Sequence, residues 1–394
     1  MDDCLQAIRT VVKRHESLRT LFAEEDGSPV RQDVQERVNV PVFLVSHPLP
    51  NDDDGNSLLS VLPRTVMDTS TEVAYRIGVQ ADGDSVKRLA VIASHLIVDG
   101  WGFENLLDEL VRETRAPGGQ RAALPRVFQQ LDQVEWESGR PGERRREAAI
   151  AHHRADALLL ESVSLARGKP ALPDESVHLG GISLGLSSQQ LEAVARRFSV
   201  GVPALLLASY TKAVSAALGV ETFLVRLHCA NRFSPARMRS VTRLKSTTTM
   251  PCTEPTRTWQ KVAAETRELS LMAYQHAQFP PEEHIQVLDD LLPDWREGAP
   301  LIVEFNDRRA IFDPAAGTSP GAGVDLTPFP DRPVVSREPI RRAARPFMGL
   351  AIDPCLRTGG AALKLETNLL SPDMIEDFLS GVRERFARES RITP

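Results

Sequence analysis

Five consecutive apolar residues, Leu89-Ala90-Val91-Ile92-Ala93, run straight into Ser94-His95-Leu96-Ile97-Val98-Asp99-Gly100-Trp101. Such a run, within 87–97, suits a strand buried on both faces. Asp99-Gly100 signals a turn. Phe103, Leu106, Leu107, Leu110 and Val111 then recur at helical spacing over 103–115. A buried strand, a turn and an amphipathic helix in that order specify a layered α/β unit with a histidine at the strand's end. Strand ends of such layers face crevices. A free imidazole, with an ordinary pKa of about 6.5, can take a proton near neutral pH. Gly100 has no side chain, so its N–H can approach a developing oxyanion closely.

Similar signals fill the rest of the 394 residues. Leu5, Ile8, Val11, Val12 and Leu18 predict a helix over 5–18, and strand-like runs follow at 38–45 and 72–79. Residues 138–157 read as a charged helix, and Arg167-Gly168-Lys169-Pro170-Ala171-Leu172-Pro173 as a linker. Beyond it come a strand at 178–186, a Ser187/Gln190 capping box and a helix opened by Pro203 and running to Leu218. Strands at 223–227, 241–250 and 301–305, a helix at 259–277, a strand pair near 347–367 and a closing helix at 372–387 are expected. The expected fold class is therefore α/β, as two layered α+β subdomains: 1–170 around the histidine motif, and 171–394. Residues 307–345, rich in Pro, Gly, Ala and Arg, are expected to form a long crossover loop.

Asp+Glu 53 against Lys+Arg 47 gives a net charge of −6, which removes a nucleic-acid footprint. No apolar run approaches the roughly 18–20 residues of a membrane helix. Met1-Asp2-Asp3 lacks the basic-then-apolar order of a signal peptide. A cytoplasmic protein that binds neither nucleic acid nor membrane is expected. Cys4, Cys229, Cys252 and Cys355 form no CxxC pair, so reduced, buried thiols are expected, and no metal site. His152-His153-Arg154-Ala155-Asp156-Ala157 has the look of a second histidine motif, but it lies in the charged helix and lacks the glycine. A solvated helix face is expected there. Gly180-Gly181-Ile182-Ser183-Leu184-Gly185 fits no phosphate loop.

Arg14-His15-Glu16-Ser17-Leu18-Arg19-Thr20-Leu21-Phe22 lies upstream of the strand–turn–helix segment. In order and approximate spacing, the two stretches resemble the RHxxLRTxF and HHxxxDG motifs of nonribosomal peptide synthetase condensation domains. Those domains belong to the chloramphenicol-acetyltransferase-like superfamily. Weaker likenesses run on through Asn231-Arg232, near the family's Gly-Arg position, His276-Ala277-Gln278-Phe279-Pro280-Pro281-Glu282, 296–306 and Leu365-Glu366-Thr367-Asn368-Leu369. The resemblance implies two chloramphenicol-acetyltransferase-like subdomains in a V-shape, with the active site in a tunnel between them. It implies a free-standing, monomeric acyltransferase of nonribosomal peptide or related biosynthesis. An acyl or aminoacyl group would pass from a carrier-protein thioester to an amine or alcohol, forming an amide or ester. The acceptor would be a small molecule or a carrier-bound nucleophile. The chain itself would bind no cofactor; phosphopantetheine would arrive on an acyl or peptidyl carrier protein. Arg341, Arg342 and Arg345 form a basic patch whose default reading is a solvated surface, with carrier docking as the sharper alternative.

Carried over residue by residue, the resemblance makes His95 and Gly100 catalytic. Asp99 and Arg19 would support the site as a buried ion pair. Ser94, Trp101, Ser246 and Thr248 would line the tunnel, Trp101 chiefly by packing. Four departures stand out. Ser94 replaces the first motif histidine, and Ser246 replaces the asparagine of the family's I-G-x-F-V-N-T strand. The aspartate of its D-L-x-L strand is missing around Phe347-Met348-Gly349-Leu350. The family's first strand, ahead of the opening helix, is not seen, and either a start upstream of Met1 or a trimmed member is expected. These departures leave two rival expectations: a catalytically inactive docking platform, and an epimerase-like relative.

Overall fold

The structure is a computed structural model, and it describes all residues except 27, 46–55, 64, 116–125, 163–174, 254, 298–299, 313–328, 356 and 392–394. The expected linker at 167–173 therefore lies outside the described residues. The chain divides into two units.

Unit 1 holds Met1–Gly139 and Ala230–Lys245. Helix α1 (Asp2–Arg14) buries Cys4, Ala7, Ile8, Val11 and Val12 at three- and four-residue steps, and Asp2 and Asp3 sit favourably in its first turn. Strands β1 (Thr20–Glu25) and β2 (Ser28–Val34) form an antiparallel hairpin. Strand β3 (Val42–Val45), helix α2 (Asn56–Val61), and strands β4 (Tyr75–Asp82) and β5 (Ser85–Ala93) follow. The sheet order is β3-β4-β5, with β3 parallel and β5 antiparallel to β4. Helix α3 (Gly100–Arg115) packs on α1, and α4 (Gln130–Ser138) follows it. The core combines Ile8, Val11, Leu18, Ile77, Val79 and Leu106.

Unit 2 opens with α5 (Arg140–Ser162), β6 (Ser176–Ser183), α6 (Ser188–Arg197), α7 (Val202–Leu218) and β7 (Thr222–Cys229). The chain then enters unit 1 for Ala230–Lys245, which includes the single turn α8 (Pro235–Met238). It returns with β8 (Ser246–Thr253), α9 (Trp259–Gln275), α10 (Pro281–Leu291) and β9 (Ile302–Asp307). Short strands β10 (Val334–Val335) and β11 (Arg341–Arg342) precede β12 (Met348–Pro354), β13 (Ala361–Thr367) and α11 (Pro372–Arg391). The sheet order is β10-β6-β13-β12-β9-β7-β8, and β11 also pairs with β6. Leu191, Leu205, Ala263 and Phe378 bring α6, α7, α9 and α11 onto one core with Phe223, Val225 and Phe305. Leu224 shares a smaller cluster with Leu160 of α5 and Val287 and Leu288 of α10.

Several boundaries differ from the sequence reading. Helix α5 belongs to unit 2, where it packs on α10 and β8, so the division falls at Gly139/Arg140 instead of 170/171. The strand expected at 241–250 starts at Ser246, because Val241 is buried in the unit 1 core. The described part of the 307–345 loop is not featureless. Val334–Val335 pairs with Gly180 and Gly181, and Arg341–Arg342 pairs with Ser176 and Val177. The Gly180-Gly181 pair is a packing device: a Cβ on Gly181 would meet the Phe329 ring at 2.1 Å, and one on Gly180 would meet Ile375 at 2.4 Å. The Ser187/Gln190 capping box forms as expected. All four cysteines are buried and in no disulfide. Among the described residues, no single helix is long and apolar enough to cross a membrane.

Candidate active site

Strand β5 ends at Ala93, so His95 sits in a turn and not on the strand. The turn is closed by Ile97 N–H to the Ser94 carbonyl (3.2 Å), and Leu96 N–H donates to Ser94 Oγ (3.2 Å). Ser94 N–H donates to the Ala74 carbonyl (2.8 Å), which ties the turn to the segment ahead of β4. The His95 ring is exposed, and its Nδ1 lies 3.0 Å from the Val98 carbonyl. A carbonyl only accepts, so Nδ1 carries a proton, and in the neutral ring Nε2 holds the lone pair.

Asp99 is 3% exposed and N-caps α3. Its backbone carbonyl accepts from Phe103 N–H and its Oδ1 from Gly102 N–H, both at 2.8 Å. Its Oδ2 accepts from Arg232 Nη1 (2.7 Å) and from the N–H groups of Leu244 and Lys245 (2.8 Å each). The Nδ1 partner of His95 is the Val98 carbonyl and not Asp99, whose carboxylate is bonded to Arg232 and backbone N–H groups. Gly100 and Trp101 are the first two residues of α3, and their N–H groups have no acceptor within the helix. They point from its positive end.

Arg232 is the residue that sequence reasoning missed. The expected Asp99–Arg19 pair is absent, and Arg19 instead donates to the Gln35 carbonyl. Arg232 reaches Asp99 because Asn231 takes a left-handed backbone (φ 54°) that turns the chain back, while Asn231 Nδ2 holds the Leu244 carbonyl (3.0 Å). Arg232 also donates to the carbonyls of Thr242 (2.9 Å) and Ala230 (3.1 Å). Burial draws its guanidinium below the ordinary range, and the Asp99 charge opposes that. The Asn231-Arg232 dipeptide was visible in the sequence, but nothing local assigned it a partner 133 positions away.

The 230–245 segment is stapled to α3 at further points. Trp101 Nε1 donates to the Met238 carbonyl (2.9 Å), so its indole is committed to packing. Asn105 Nδ2 donates to the carbonyls of Met238 (2.8 Å) and Ser240 (3.0 Å). A Cβ on Gly102 would meet the Thr242 carbonyl at 2.8 Å, so only glycine permits this approach. His15 Nε2 and Arg14 Nε each lie 2.9 Å from Glu109 of α3. Burial pushes the Glu109 carboxyl up, but His15, Arg14 and Arg112 outweigh it and hold the carboxyl below its usual range.

In unit 2, Ser246 Oγ donates to the Ala277 carbonyl. Thr248 is fully buried opposite Leu227, on the face of β8 that carries Met250 and Cys252 into the core.

The His152-His153 pair is not a solvated face. His153 is 1% exposed; its ring stacks on His284 (centroids 4.2 Å) and meets the edge of Phe279 (4.5 Å), while His152 stacks on His276 (4.5 Å). Thr249 Oγ1 lies 3.2 Å from His153 Nδ1 and 3.4 Å from His284 Nε2. Burial first, then neighbouring positive charge, lowers His152 to about 4, His153 to about 2 and His284 to about 4. Burial alone pushes Asp156 up to about 7. The cluster is therefore buried in neutral form. Among the described residues no group of His, Cys, Asp or Glu could hold a metal ion.

An α/β chain of two units, with a histidine turn held by a buried aspartate at a helix N-terminus, defines a class that a comparison of sequences names. The chain belongs to the condensation-domain family, whose model matches residues 2–289. It is 26% identical over 320 residues to cyclosporin synthetase of Tolypocladium inflatum, covering 77% of this chain and 2% of that protein. It is 25% identical over 288 residues to tyrocidine synthase 3 of Brevibacillus parabrevis, covering 72% of this chain and 4% of that protein. The chain thus spans only a few per cent of the length of these relatives. The condensation domain of the enacyloxin polyketide synthase has the same fold (TM-score 0.68, 18% identity), covering 100% of this chain and 77% of that one. So does the epimerization domain from the third module of tyrocidine synthetase B (0.66, 16%; 99% and 88%). The X-domain from teicoplanin biosynthesis shares it too (0.66, 16%; 99% and 87%).

Proposed function

We propose that the chain is a condensation-type acyltransferase, moving an acyl or aminoacyl group from a carrier protein's phosphopantetheine thioester to an amine or alcohol. The observation that carries this reading is the exposed His95 ring, whose Nδ1–H is fixed on the Val98 carbonyl while Nε2 is free. Nε2 accepts the proton of the attacking nucleophile as the C–N or C–O bond forms. The tetrahedral oxyanion is held by the Gly100 N–H at the start of α3. Its collapse breaks the C–S bond, and the proton passes from His95 to the departing thiolate. Asp99 and Arg232 keep the turn in shape and move no proton.

The test is intact mass of an acyl-loaded carrier protein, incubated with candidate amines and either the wild type or His95→Ala. Loss of the acyl mass with the wild type alone is expected, and the released product names the acceptor. Loss with both proteins overturns the role of His95.

Ser94, in place of the first motif histidine, favours a second reading as a docking platform. The X-domain of teicoplanin biosynthesis is known in complex with OxyB. A platform would bind the carrier and leave the thioester loaded. An epimerase-like activity would instead bring solvent deuterium into the α-carbon without transfer.

A further inference from the structure

A second feature of unit 1 lies away from the histidine turn. A cavity of about 690 Å³ opens between α1 and the stretch that leads into β3. Its apolar wall is built by Ile8 and Val12 of α1 and by Val40, Val42 and Leu44. Arg9, Lys13, Arg19 and Arg37 surround it, against one carboxylate, Glu36. None of these four cations forms an ion pair among the described residues, although the whole chain carries −6.

Strand β3 is the edge of its sheet, and among the described residues no strand pairs with its outer side. Ile77 N–H donates to the Pro41 carbonyl (3.1 Å), so Pro41 points its backbone groups at β4. By the alternation of a strand, Val42 and Leu44 aim theirs outward. Those same two residues turn their side chains into the cavity, and Leu44 is 55% exposed. Open strand edges are usually blunted by charge, proline or a bulge. None of these is present in Val42–Val45.

We propose that this groove seats an extended, acidic peptide segment of a partner protein, added as a further strand on β3. Its backbone would pair with Val42 and Leu44. Every second side chain would face the cavity, where acidic ones would meet Arg9, Lys13 and Arg37, and the apolar ones between them would lie on the opposite face of the sheet. Main-chain pairing gives such additions their affinity, and alternate side chains their selectivity. Charge complementarity decides for an acidic occupant.

The experiment follows fluorescence anisotropy of a fluorescein-labelled heptapeptide alternating glutamate and valine. Binding is expected to weaken at least about tenfold in the Arg9→Glu/Lys13→Glu/Arg37→Glu variant and to fall steeply with added salt. An otherwise identical peptide, N-methylated at alternate amides to remove one edge of donors, is expected not to bind. Equal binding of the N-methylated peptide, or displacement of the parent peptide by dodecyl phosphate at equal concentration, makes the groove a plain anion site and overturns strand addition. Binding indifferent to charge reversal, or no binding of the parent peptide, overturns the proposal outright. If the triple variant loses cooperative unfolding, Arg37→Glu alone, on an exposed side chain outside any helix or strand, answers the same question.

Discussion

The chain places histidine ahead of aspartate twice, at His95/Asp99 and at His152-His153/Asp156, and treats them in opposite ways. In the first, the histidine is exposed and the aspartate buried, with both carboxylate oxygens supplied with donors. In the second, His153 is buried in neutral form and Asp156 is pushed up to about 7. The difference lies in backbone context. A turn before a helix N-terminus offers free N–H groups that favour a carboxylate. The interior of a helix offers none, so there the buried carboxyl retains its proton and the rings stack uncharged.

The sharpest way to separate the two is His95→Ala. Transfer is expected to fall by about 10²–10⁴-fold with little change in unfolding, because the ring is exposed. Carrier mass against time checks the first, and urea unfolding the second. Next comes Arg232→Ala, expected to cost about 3–5 kcal/mol in urea unfolding by stranding a buried carboxylate. Arg19→Ala, which removes a bond to one backbone carbonyl, is expected to cost about 1 kcal/mol.

The second site should appear in the pH dependence. His152, His153 and His284 bind protons less readily folded than unfolded, so their contribution is complete above pH 6.5 and is lost as pH falls toward 4. Asp156 works the other way, because the folded state holds its proton up to about pH 7. Between pH 4 and 6.5 unfolding therefore takes up three protons at the histidines and releases one at Asp156, a net of two. Urea midpoints should rise with pH across that window, and His153→Phe, which keeps the ring stack, should remove one proton from the slope. The effect of Asp156→Asn should depend on pH. At pH 5 the stability should stay within about 0.5 kcal/mol, and at pH 8 the variant should be the more stable. Asp99→Asn should destabilise at both pH values.

Much of this was legible where the signals are local. The capping box at Ser187 and the strand–turn–helix around His95 depend on neighbours a few residues apart. The β1–β2 hairpin was missed because β1 buries only Thr20 and Phe22 and β2 is largely exposed and polar, too short a pattern to read as a strand pair. Helix α10 was missed although Pro281 opens it as a first-turn proline. The buried histidines were read as solvated because their cover, His276, Phe279 and His284, comes from a segment more than a hundred positions on. For the same reason Arg232 could not be recognised as the partner of Asp99.

The excursion of Ala230–Lys245 into unit 1 also bears on how the protein is made. When Gly139 leaves the ribosome, Asp99 has its helix cap, but its guanidinium and two of its amide donors are still unsynthesised. At about 5–20 residues per second, the wait until Lys245 is roughly 5–20 s. During that interval the nascent N-terminal unit carries an uncompensated carboxylate. It cannot close its charged centre until β7 of the other unit has been translated.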